Sequence, residues 1–212
     1  MRALTKLFPL LLASCLSLTV EAADQARGIP LFDGKTFKGW EGDTQKTFRI
    51  QEGSIVAGSL SAAVPRNEFL ATTRQYTNFV LRLEFKLLGG TKANAGVQIR
   101  TQRIPNHHEV SGYQADMGDG WWGCVYDESR RRKVLAKADP LQTDKLVKRD
   151  AWNTYEIRCE GKRIRLAING TQTVDYTEPD DAIPQFGIIA VQIHGGPPSE
   201  AWYRKLIIEE LP

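Results

Sequence analysis

The sequence has few cysteines, few histidines and no excess of charge of either sign. Three cysteines and three histidines occur without a Cys-x-x-Cys or Cys-His pattern, so the sequence provides no typical zinc site. The 28 basic residues nearly balance the 25 acidic ones, and only Arg130–Lys133 form a basic run, which argues against a nucleic-acid partner. No apolar run reaches the length of a transmembrane helix.

Residues 1–22 have the pattern of a signal peptide. A short basic start, Met1–Lys6, leads into the apolar run Leu7–Val20, which has the length of a signal-peptide core. Small residues follow, and we expect cleavage after Ala22 or the next residue. The protein is therefore expected to be exported to the periplasm or the extracellular space, with one domain over residues 24–212.

The cysteines leave two alternatives open. Leu12–Cys15 has the spelling of a lipoprotein processing box, so a lipid anchor at Cys15 is a minority alternative to cleavage after Ala22. Cys124 and Cys159 would share an oxidising compartment, where they form either one disulfide or two buried free thiols. Their spacing does not decide between these, because it does not show how closely the two Cα atoms approach.

Short β-branched and aromatic runs, broken by Gly, Asn, Asp and Pro, recur along the chain, and no stretch keeps a helical period. Residues 80–87 alternate strictly between apolar and charged side chains, which predicts a half-buried strand. Turn signals at Gly53, Gly161 and Gly170 predict hairpins. Together these patterns predict an all-β fold, a jelly-roll sandwich of two antiparallel sheets.

The segment Arg103–Pro140 combines tryptophans, carboxylates and arginines with little alternation, which predicts a long functional loop. Flat rings beside hydrogen-bonding groups suit a sugar, which has C–H faces to stack and hydroxyls to bind. On strands, Gln114 and Asp116 would share one side, as would Gln98 and Arg100. The alternative is that these are ordinary solvated positions, with the tryptophans in the core.

The histidines differ in what their surroundings indicate. Gln192 and His194 share a face at the end of a strand, beside a flexible glycine turn, so His194 is a candidate for chemistry. His107 and His108 are adjacent and follow Pro-Asn, and a surface turn explains them at least as well as a functional site does.

Short motifs rich in Gly, Trp and Asn recur in order along the mature chain. They are Leu31–Lys35, Gly39-Trp40, Asn94–Arg100, Gly112–Asp116, Gly120–Gly123, Tyr126–Glu128, Trp152–Tyr155, Ile168–Gly170 and Gln192–Gly195. Their order and spacing resemble the 3-keto-disaccharide hydrolase family. The resemblance implies a concanavalin A-like jelly roll and substrates that are glycosides with the C3 hydroxyl oxidised to a ketone.

Such a substrate implies elimination followed by hydration. A ketone at C3 acidifies the C2 proton, so a base can remove it while the C1 substituent leaves, and water then adds to the enone. On this resemblance Asp116 or His194 is expected to act as base and acid. Arg100 is expected to stabilise the enolate oxygen, and Gln114 to orient the sugar.

This chain departs from the resemblance at one position. Many relatives read Tyr-Glu-x-Gln where this chain has Ser111–Gln114, so a carboxylate that they carry is absent at Gly112. Candidate substitutes are Glu109, Asp116 and Glu128.

The remaining expected contacts are those that would hold the sugar. Trp121, Trp122 and Tyr126 are expected to form a stacking wall, and the polar contacts are expected from Gln98, Gln114, Asp127, Gln192 and His108.

No cofactor is demanded by this chemistry, although a divalent metal could replace or assist Arg100 as a Lewis acid. The expected partner is a carbohydrate, and the sequence does not predict an oligomeric state. One alternative is a non-catalytic, lectin-like carbohydrate-binding module, since one fold can host many functions. Another is an ordinary glycosidase, which would require a carboxylate pair roughly 5 to 9 Å apart across a cleft.

Overall fold

The computed structural model describes residues 28–212, so the predicted signal peptide and the alternative anchor at Cys15 lie outside the described residues. The strands are β1 (Ile29–Pro30), β2 (Trp40–Glu41), β3 (Phe48–Gln51), β4 (Ser54–Ser59), β5 (Glu68–Tyr76), β6 (Phe79–Leu88), β7 (Asn94–Arg103), β8 (Val110–Gly118), β9 (Val125–Glu128), β10 (Lys133–Ala136), β11 (Asn153–Glu160), β12 (Arg163–Ile168), β13 (Thr171–Thr177), β14 (Gly187–Ile193) and β15 (Ser199–Glu210). The helices are a 3₁₀ turn (Gly90–Lys92) and α1 (Pro140–Leu146).

The strands form two antiparallel sheets. The eight-stranded sheet has the order β13-β12-β11-β6-β15-β4-β3, with β1 paired to β15, and the seven-stranded sheet has the order β10-β9-β8-β7-β14-β5-β2. Strands distant in sequence lie side by side, such as β6 with β15 and β7 with β14. The predicted all-β sandwich of two antiparallel sheets is confirmed.

The core lies between the two sheets, and strand alternation fills it. On β6, the residues from Leu81 to Phe85 alternate as predicted, with leucine and phenylalanine buried and the charged residues between them half-buried. The predicted turns at Gly53, Gly161 and Gly170 join β3 to β4, β11 to β12 and β12 to β13. All three glycines have positive φ, which side chains disfavour.

The segment Arg103–Pro140 contains three strands, so the prediction of one long loop over it was wrong. It contains β8, β9 and β10, joined by turns. On β8 every residue from Gly112 to Gly118 is buried, because one face packs in the core and the other lies at the floor of a recess. A polar face that is also buried gives no contrast between core and solvent, and the alternation was therefore hard to recognise.

The outer face of the seven-stranded sheet, the face turned away from the core, is partly covered. A second apolar cluster lies there, made of Phe69, Ala71, Val110, Ile188 and Ala190. The turn between β7 and β8 folds back across β14 and β5, so that His108 Nδ1 lies 3.0 Å from the carbonyl oxygen of Asn67. The uncovered part of this face, over β7 to β9, forms a recess.

A β-bulge on β7 turns Arg100 away from that recess. Pairing with β8 shifts register between Ile99 and Gln102, and Arg100 has φ 51°. Thr101, not Arg100, therefore shares a side with Gln98, to which its hydroxyl donates at 3.3 Å. The prediction that Gln98 and Arg100 share a face was wrong.

The guanidinium of Arg100 instead reaches the β5–β6 turn, the β11–β12 turn and the segment before β14. It donates to the carbonyl oxygens of Thr77 at 2.7 Å and Gly161 at 2.6 Å, and to the side chains of Asn78 and Gln185. All four partners belong to turns and connecting segments, and none of them lines the pocket in the recess. The predicted role of Arg100 as an enolate stabiliser is therefore not retained.

The two cysteines of the described chain are both buried and both free. Of the two alternatives left open by the sequence, the structure shows free thiols rather than a disulfide. Cys124 and Cys159 belong to the core between the sheets.

Candidate functional site

An open pocket of about 350 Å³ lies in the recess on the outer face of the seven-stranded sheet. Strands β7, β8 and β9 form its floor, and the segments that precede β5, precede β7 and follow β14 form its rim. Its volume is in the range of small-molecule sites. It is lined by Asn67, Lys92, Asn94, Gln114, Asp116, Trp121, Tyr126, Glu128, His194 and Gly195.

Strand β8 supplies the polar centre of the pocket. Gln114 and Asp116 point into it, and Ala115 between them is buried in the core. This arrangement follows from the two-residue period of a strand and confirms the expected side for each residue. Both polar side chains are almost completely buried, with exposures of 2%.

A chain of hydrogen bonds orients the Asp116 carboxylate. Gln98 Nε2 donates to Gln114 Oε1, which directs Gln114 Nε2 toward Asp116 Oδ1, where it donates at 2.8 Å. Gly96, which pairs with Asp116 across β7 and β8, leaves the space that the Gln114 side chain occupies. A Cβ at Gly96 would lie 2.6 Å from Gln114 Cδ, which is too close for any side chain at position 96 to fit without moving Gln114.

The pKa of Asp116 is raised to about 7. Burial is the main cause, because the charged form loses its hydration, and the negative charge of Glu128 adds to the effect. Hydrogen bonds from Gln114 and Asn94 act in the opposite direction but do not offset burial. Asp116 can therefore bind and release a proton near neutral pH.

Glu128, at the end of β9, also has its pKa raised to about 7. Burial is again the first cause and the charge of Glu109 the second, while the backbone N–H of Ser129 lowers the pKa in part. Two carboxyl groups that both titrate near neutrality thus face one pocket. Pairs of this kind are typical of acid–base catalysis.

A histidine and a lysine lie on the rim. His194 is exposed, and its Nδ1 lies 2.7 Å from the carbonyl oxygen of Gly195. Because a carbonyl can only accept, Nδ1 carries the proton, and Nε2 of the neutral ring is left as an acceptor. Lys92 ends the 3₁₀ turn before β7 and brings a positive charge to the pocket.

Of the three aromatic residues expected to form a stacking wall, two line the pocket. Trp121 is 40% exposed and makes an edge contact with Tyr126, with ring centroids 6.0 Å apart. Trp122 does not join them, because it is buried in the core and stacks on Phe85 at 6.2 Å. The expectation that Trp122 contacts the sugar was therefore wrong.

Other expected sugar contacts also lie outside the pocket. Asp127 is fully buried and pairs with Arg130 and Arg131, because β9 turns it to the core side. His108 is used in the contact with Asn67. Gln98 supports Gln114 from below, and Gln192 is fully buried beside them, with no partner for its amide among the described residues.

Four lining residues were not predicted as site residues, and Gly195 is one of them, next to the predicted His194. Asn94 opens β7 on the same side as Gly96, and counting by two along that strand would have placed it there. Asn67 and Lys92 come from segments outside the strands, and only the assembled fold brings them to the pocket. No local signal in the sequence marks either one.

The sequence profile of a family described as the 3-keto-alpha-glucoside-1,2-lyase-like domain matches residues 27–209. The chain belongs to this family. The resemblance stated from the sequence motifs is thereby confirmed over residues 27–209. No curated protein matches the sequence.

Solved structures share the fold of this 3-keto-alpha-glucoside-1,2-lyase-like domain at low identity. A candidate glycosyl hydrolase from Parabacteroides distasonis is 17% identical with a TM-score of 0.69, covering 90% of this chain and 97% of that one. A carbohydrate-binding module from Bacillus subtilis is 11% identical, with a TM-score of 0.61 and coverage of 81% and 96%. The β-glucanase of Bacillus licheniformis is 10% identical, with a TM-score of 0.56 and coverage of 86% and 97%.

These likenesses show the fold alone, and they confirm the concanavalin A-like jelly roll. Both an enzyme and a binding module are among them, so the fold does not decide the activity of this family member. Within residues 28–212, there is no group of three or more His, Cys, Asp or Glu side chains that could hold a metal ion. The same part of the chain has no helix with the length and apolarity needed to cross a membrane.

Proposed function

We propose that the protein cleaves 3-keto-glycosides by eliminating the C1 substituent and then adding water. The observation that carries the proposal is the pair of carboxyl groups, Asp116 and Glu128, that face one pocket with pKa values of about 7. A module that only binds sugar gains nothing from burying two carboxyl groups where they cannot both ionise easily.

Asp116 acts as the general base. Its carboxylate takes the proton from C2 of the sugar, and the C2–H electron pair forms the C1=C2 double bond as the C1–O bond breaks. Gln114 holds the carboxylate in one orientation through the 2.8 Å hydrogen bond. The ketone at C3 makes this proton acidic enough for a carboxylate to remove.

Lys92 replaces Arg100 in the proposed mechanism. Negative charge develops on the C3 oxygen during proton removal, and a positive group in the pocket stabilises it. Lys92 carries such a charge on the rim, whereas His194 Nε2, an acceptor in the neutral ring, can receive a hydrogen bond from a sugar hydroxyl. No step is assigned to a metal ion, because the described residues offer no grouped ligands.

Glu128 acts as the general acid. In its protonated form it gives a proton to the leaving oxygen, and the resulting carboxylate can later accept a proton from the water that adds to C1. Asp116 returns its proton to C2 in the same addition, so the enzyme is regenerated and the product is a 3-keto sugar. Trp121 and Tyr126 offer the ring faces for stacking.

The test is incubation of the purified protein with a 3-keto-disaccharide and, separately, with its unoxidised parent. We expect monosaccharide release only from the ketone. In deuterated water the proton held on Asp116 exchanges with solvent before it is returned, so the released 3-keto sugar should carry one deuterium at C2, beyond any exchange seen for free product in buffer. Release from the parent would indicate an ordinary glycosidase. Binding with release from neither would indicate a carbohydrate-binding module.

A further inference from the structure

The hydrogen-bond chain that ends on Asp116 begins at Thr101, which does not line the pocket. The Thr101 hydroxyl lies 3.3 Å from Gln98 Oε1, and Gln98 Nε2 donates to Gln114 Oε1. Gln114 Nε2 then donates to Asp116 Oδ1 at 2.8 Å. Two amides therefore connect the carboxyl group to a distant hydroxyl.

All four side chains of this chain are closed off from solvent. Gln98 and Thr101 have exposures of 0%, and Gln114 and Asp116 have exposures of 2%. A buried amide that loses its partner cannot turn to water instead, and it then bears the whole cost of its lost hydration. Because Asp116 gains and loses a proton in the proposed reaction, the chain has to be complete in both of its states.

The backbone gives Thr101 its place at the end of the chain. The β-bulge on β7 turns Thr101 to the same side as Gln98. The missing side chain of Gly112, on the facing strand, leaves room for the hydroxyl, since a Cβ there would lie 2.9 Å from Thr101 Oγ1. The position of Thr101 is thus fixed by the two strands that build the floor of the pocket.

The Thr101 hydroxyl can end the chain in either direction. It lies within hydrogen-bond distance of Gln98 Oε1 and also of two backbone carbonyl oxygens, those of Ile99 at 3.1 Å and Tyr113 at 3.2 Å. A hydroxyl is one donor and also an acceptor. When its proton points to a carbonyl, its oxygen is left free to accept a hydrogen bond from Gln98.

Asp116 needs opposite partners in its two states. The carboxylate only accepts, so Gln114 presents its N–H group to it. The carboxylic acid has an O–H that donates, and Gln114 can accept it after a half-turn of the amide, which leaves the positions of the heavy atoms nearly unchanged. Gln114 Nε2 then faces Gln98 Oε1, and Gln98 Nε2 faces the Thr101 oxygen.

We propose that the chain from Thr101 through Gln98 and Gln114 reverses its direction whenever Asp116 takes up or releases a proton. Thr101 and Gln98 are then positioning residues for the base, and both directions are used in every catalytic cycle. The inference rests on the proposed function for this role in catalysis but not for the reversal itself.

Asp116 is the only titratable member of the chain, because a threonine hydroxyl and two amides keep their charge at all ordinary pH values. Other titratable groups face Asp116 from the surrounding elements and have to be separated from it in a test. They are Glu128 and Tyr126 on β9, Cys124 before β9, Lys92 before β7, His194 after β14 and Tyr155 on β11.

Nuclear magnetic resonance of the ¹⁵N-labelled protein tests the reversal directly. The Gln98 side-chain NH₂ protons should show nuclear Overhauser contacts to the Gln114 side chain at about pH 9 and to the Thr101 side chain at about pH 5. Asp116→Asn is the control, because the asparagine oxygen accepts from Gln114 at every pH, and its Gln98 contacts should stay those of high pH. Identical contacts at both pH values in the wild type would overturn the inference. A pH-dependent exchange that persists in Asp116→Asn would also overturn it, because another group would then drive the reversal.

Activity toward a 3-keto-disaccharide tests the positioning role. Thr101→Val keeps the shape of the side chain without the hydroxyl, and kcat should fall by about 10-fold while KM changes by less than about 2-fold. Thr101→Ser should restore most of the rate. Thr143→Val, which removes a buried hydroxyl bonded to the Pro140 carbonyl on α1, is the control and should keep the wild-type kcat. A Thr101→Val variant with the wild-type kcat would rule out the positioning role.

The two measurements separate this inference from the proposed reaction. If no cleavage occurs but the Gln98 contacts exchange with the protonation of Asp116, the reaction is wrong and the reversible chain stands. If cleavage occurs while the contacts stay the same at both pH values, the reaction stands and the reversal is wrong.

Discussion

At the scale of single residues, Asp116 is a group whose charge opposes folding. Its pKa is about 7 in the folded protein against 3.8 in its ordinary state, so the folded protein holds this proton more tightly than the unfolded chain. The stabilising effect is complete below about pH 4 and is lost as the pH rises toward 7. Above pH 7 the buried carboxylate destabilises the protein, which is typical of a site selected for reactivity.

Asp116→Asn should therefore raise stability while it removes activity. At about pH 8 we expect Tm to rise by about 3 °C or more, because the buried charge is gone and the amide oxygen still accepts from Gln114. At the same pH, kcat for a 3-keto-disaccharide should fall by about 100-fold or more relative to wild type. Calorimetry and a product assay measure the two effects. Asp175→Asn, at a carboxylate on β13 paired with Arg163, should change activity little and should not raise Tm. A lower Tm for Asp116→Asn would contradict the assignment.

The two carboxyl groups also predict the pH dependence of the reaction. A base must be deprotonated and an acid protonated, so kcat/KM should pass through a maximum near pH 7, with apparent pKa values that belong to the pair. Glu128→Gln should lower the rate and abolish the fall on the alkaline side, because the group that must stay protonated is gone. Rates measured from about pH 5 to about pH 9 test this. An alkaline fall that persists in the variant would mean that another group is the acid.

The sequence identified Asp116, Gln114, Glu128, Trp121, Tyr126 and His194 for the pocket because strand alternation and chemical type are local properties. It misplaced Arg100 because one extra residue in a bulge reverses every side chain that follows it. Trp122 was misplaced for a related reason, since ring chemistry alone does not separate a core residue from a stacking platform. No local sequence signal marks Lys92 as a site residue, and only the tertiary fold places it at the pocket.

At the scale of elements, β7 leaves room for the Gln114 side chain because Gly96 has no side chain of its own. Gly96→Ala would push a methyl group into the space of the Gln114 side chain, at 2.6 Å from Cδ. The added Cβ would also lie 2.7 Å from Gln114 Cγ, so we expect the whole side chain to be displaced and to lose its bond to Asp116. The rate should fall by about 10-fold or more, and the unfolding free energy should fall by about 1 to 3 kcal/mol because the site is overpacked and a buried hydrogen bond is lost. Gly196→Ala, where an added Cβ has no neighbour within 4 Å, is the matched control. A variant as active as wild type would show that Gln114 does not orient the base.

The β9–β10 turn is held to the opposite sheet by Glu178, which follows β13. Arg131 donates to both Glu178 oxygens at 3.0 and 2.7 Å, and the Tyr113 and Tyr176 hydroxyls donate at 2.7 and 3.0 Å. Burial alone would raise the pKa of Glu178, but these hydrogen bonds lower it to about 2. The turn that carries Arg132 is thus fixed by a buried ion pair.

Glu178→Gln should destabilise the protein in a pH-dependent way. Because the folded pKa is lowered from 4.5 to about 2, the stabilisation is present above about pH 4.5 and is lost as the pH falls toward 2. At pH 7 we expect the unfolding free energy to fall by about 3 kcal/mol. Near pH 3 the difference from wild type should shrink to about half or less of that value. Urea unfolding at both pH values measures it, with Glu210→Gln, at a half-exposed pair with Arg74, as the control. An equal loss at both pH values would point to packing rather than charge.

At the scale of the whole molecule, the arrangement of the strands is what sequence patterns could not supply. Hairpins between neighbours in the chain, such as β11 with β12, follow from turn residues. The pairings of β6 with β15 and of β7 with β14 join segments far apart in the sequence, and no local signal specifies them. The pocket depends on these distant pairings, because β14 brings His194 beside Asn94. The architecture was nevertheless predictable from the family resemblance, which carries information about topology that periodicity lacks.

The mature protein should contain two thiols and no disulfide. Cys124 and Cys159 are buried in the core, and burial raises the pKa of Cys159 to about 12, so neither thiol reacts readily while the protein is folded. We propose export with removal of residues 1–22, which would also remove Cys15. An alkylating reagent should then add nothing to the folded exported protein and two groups after unfolding, and a reductant should leave Tm unchanged. A third reactive thiol would mean that the leader is retained, and an acylated Cys15 would mean a lipid anchor. A Tm that falls on reduction would show that the two core cysteines are joined.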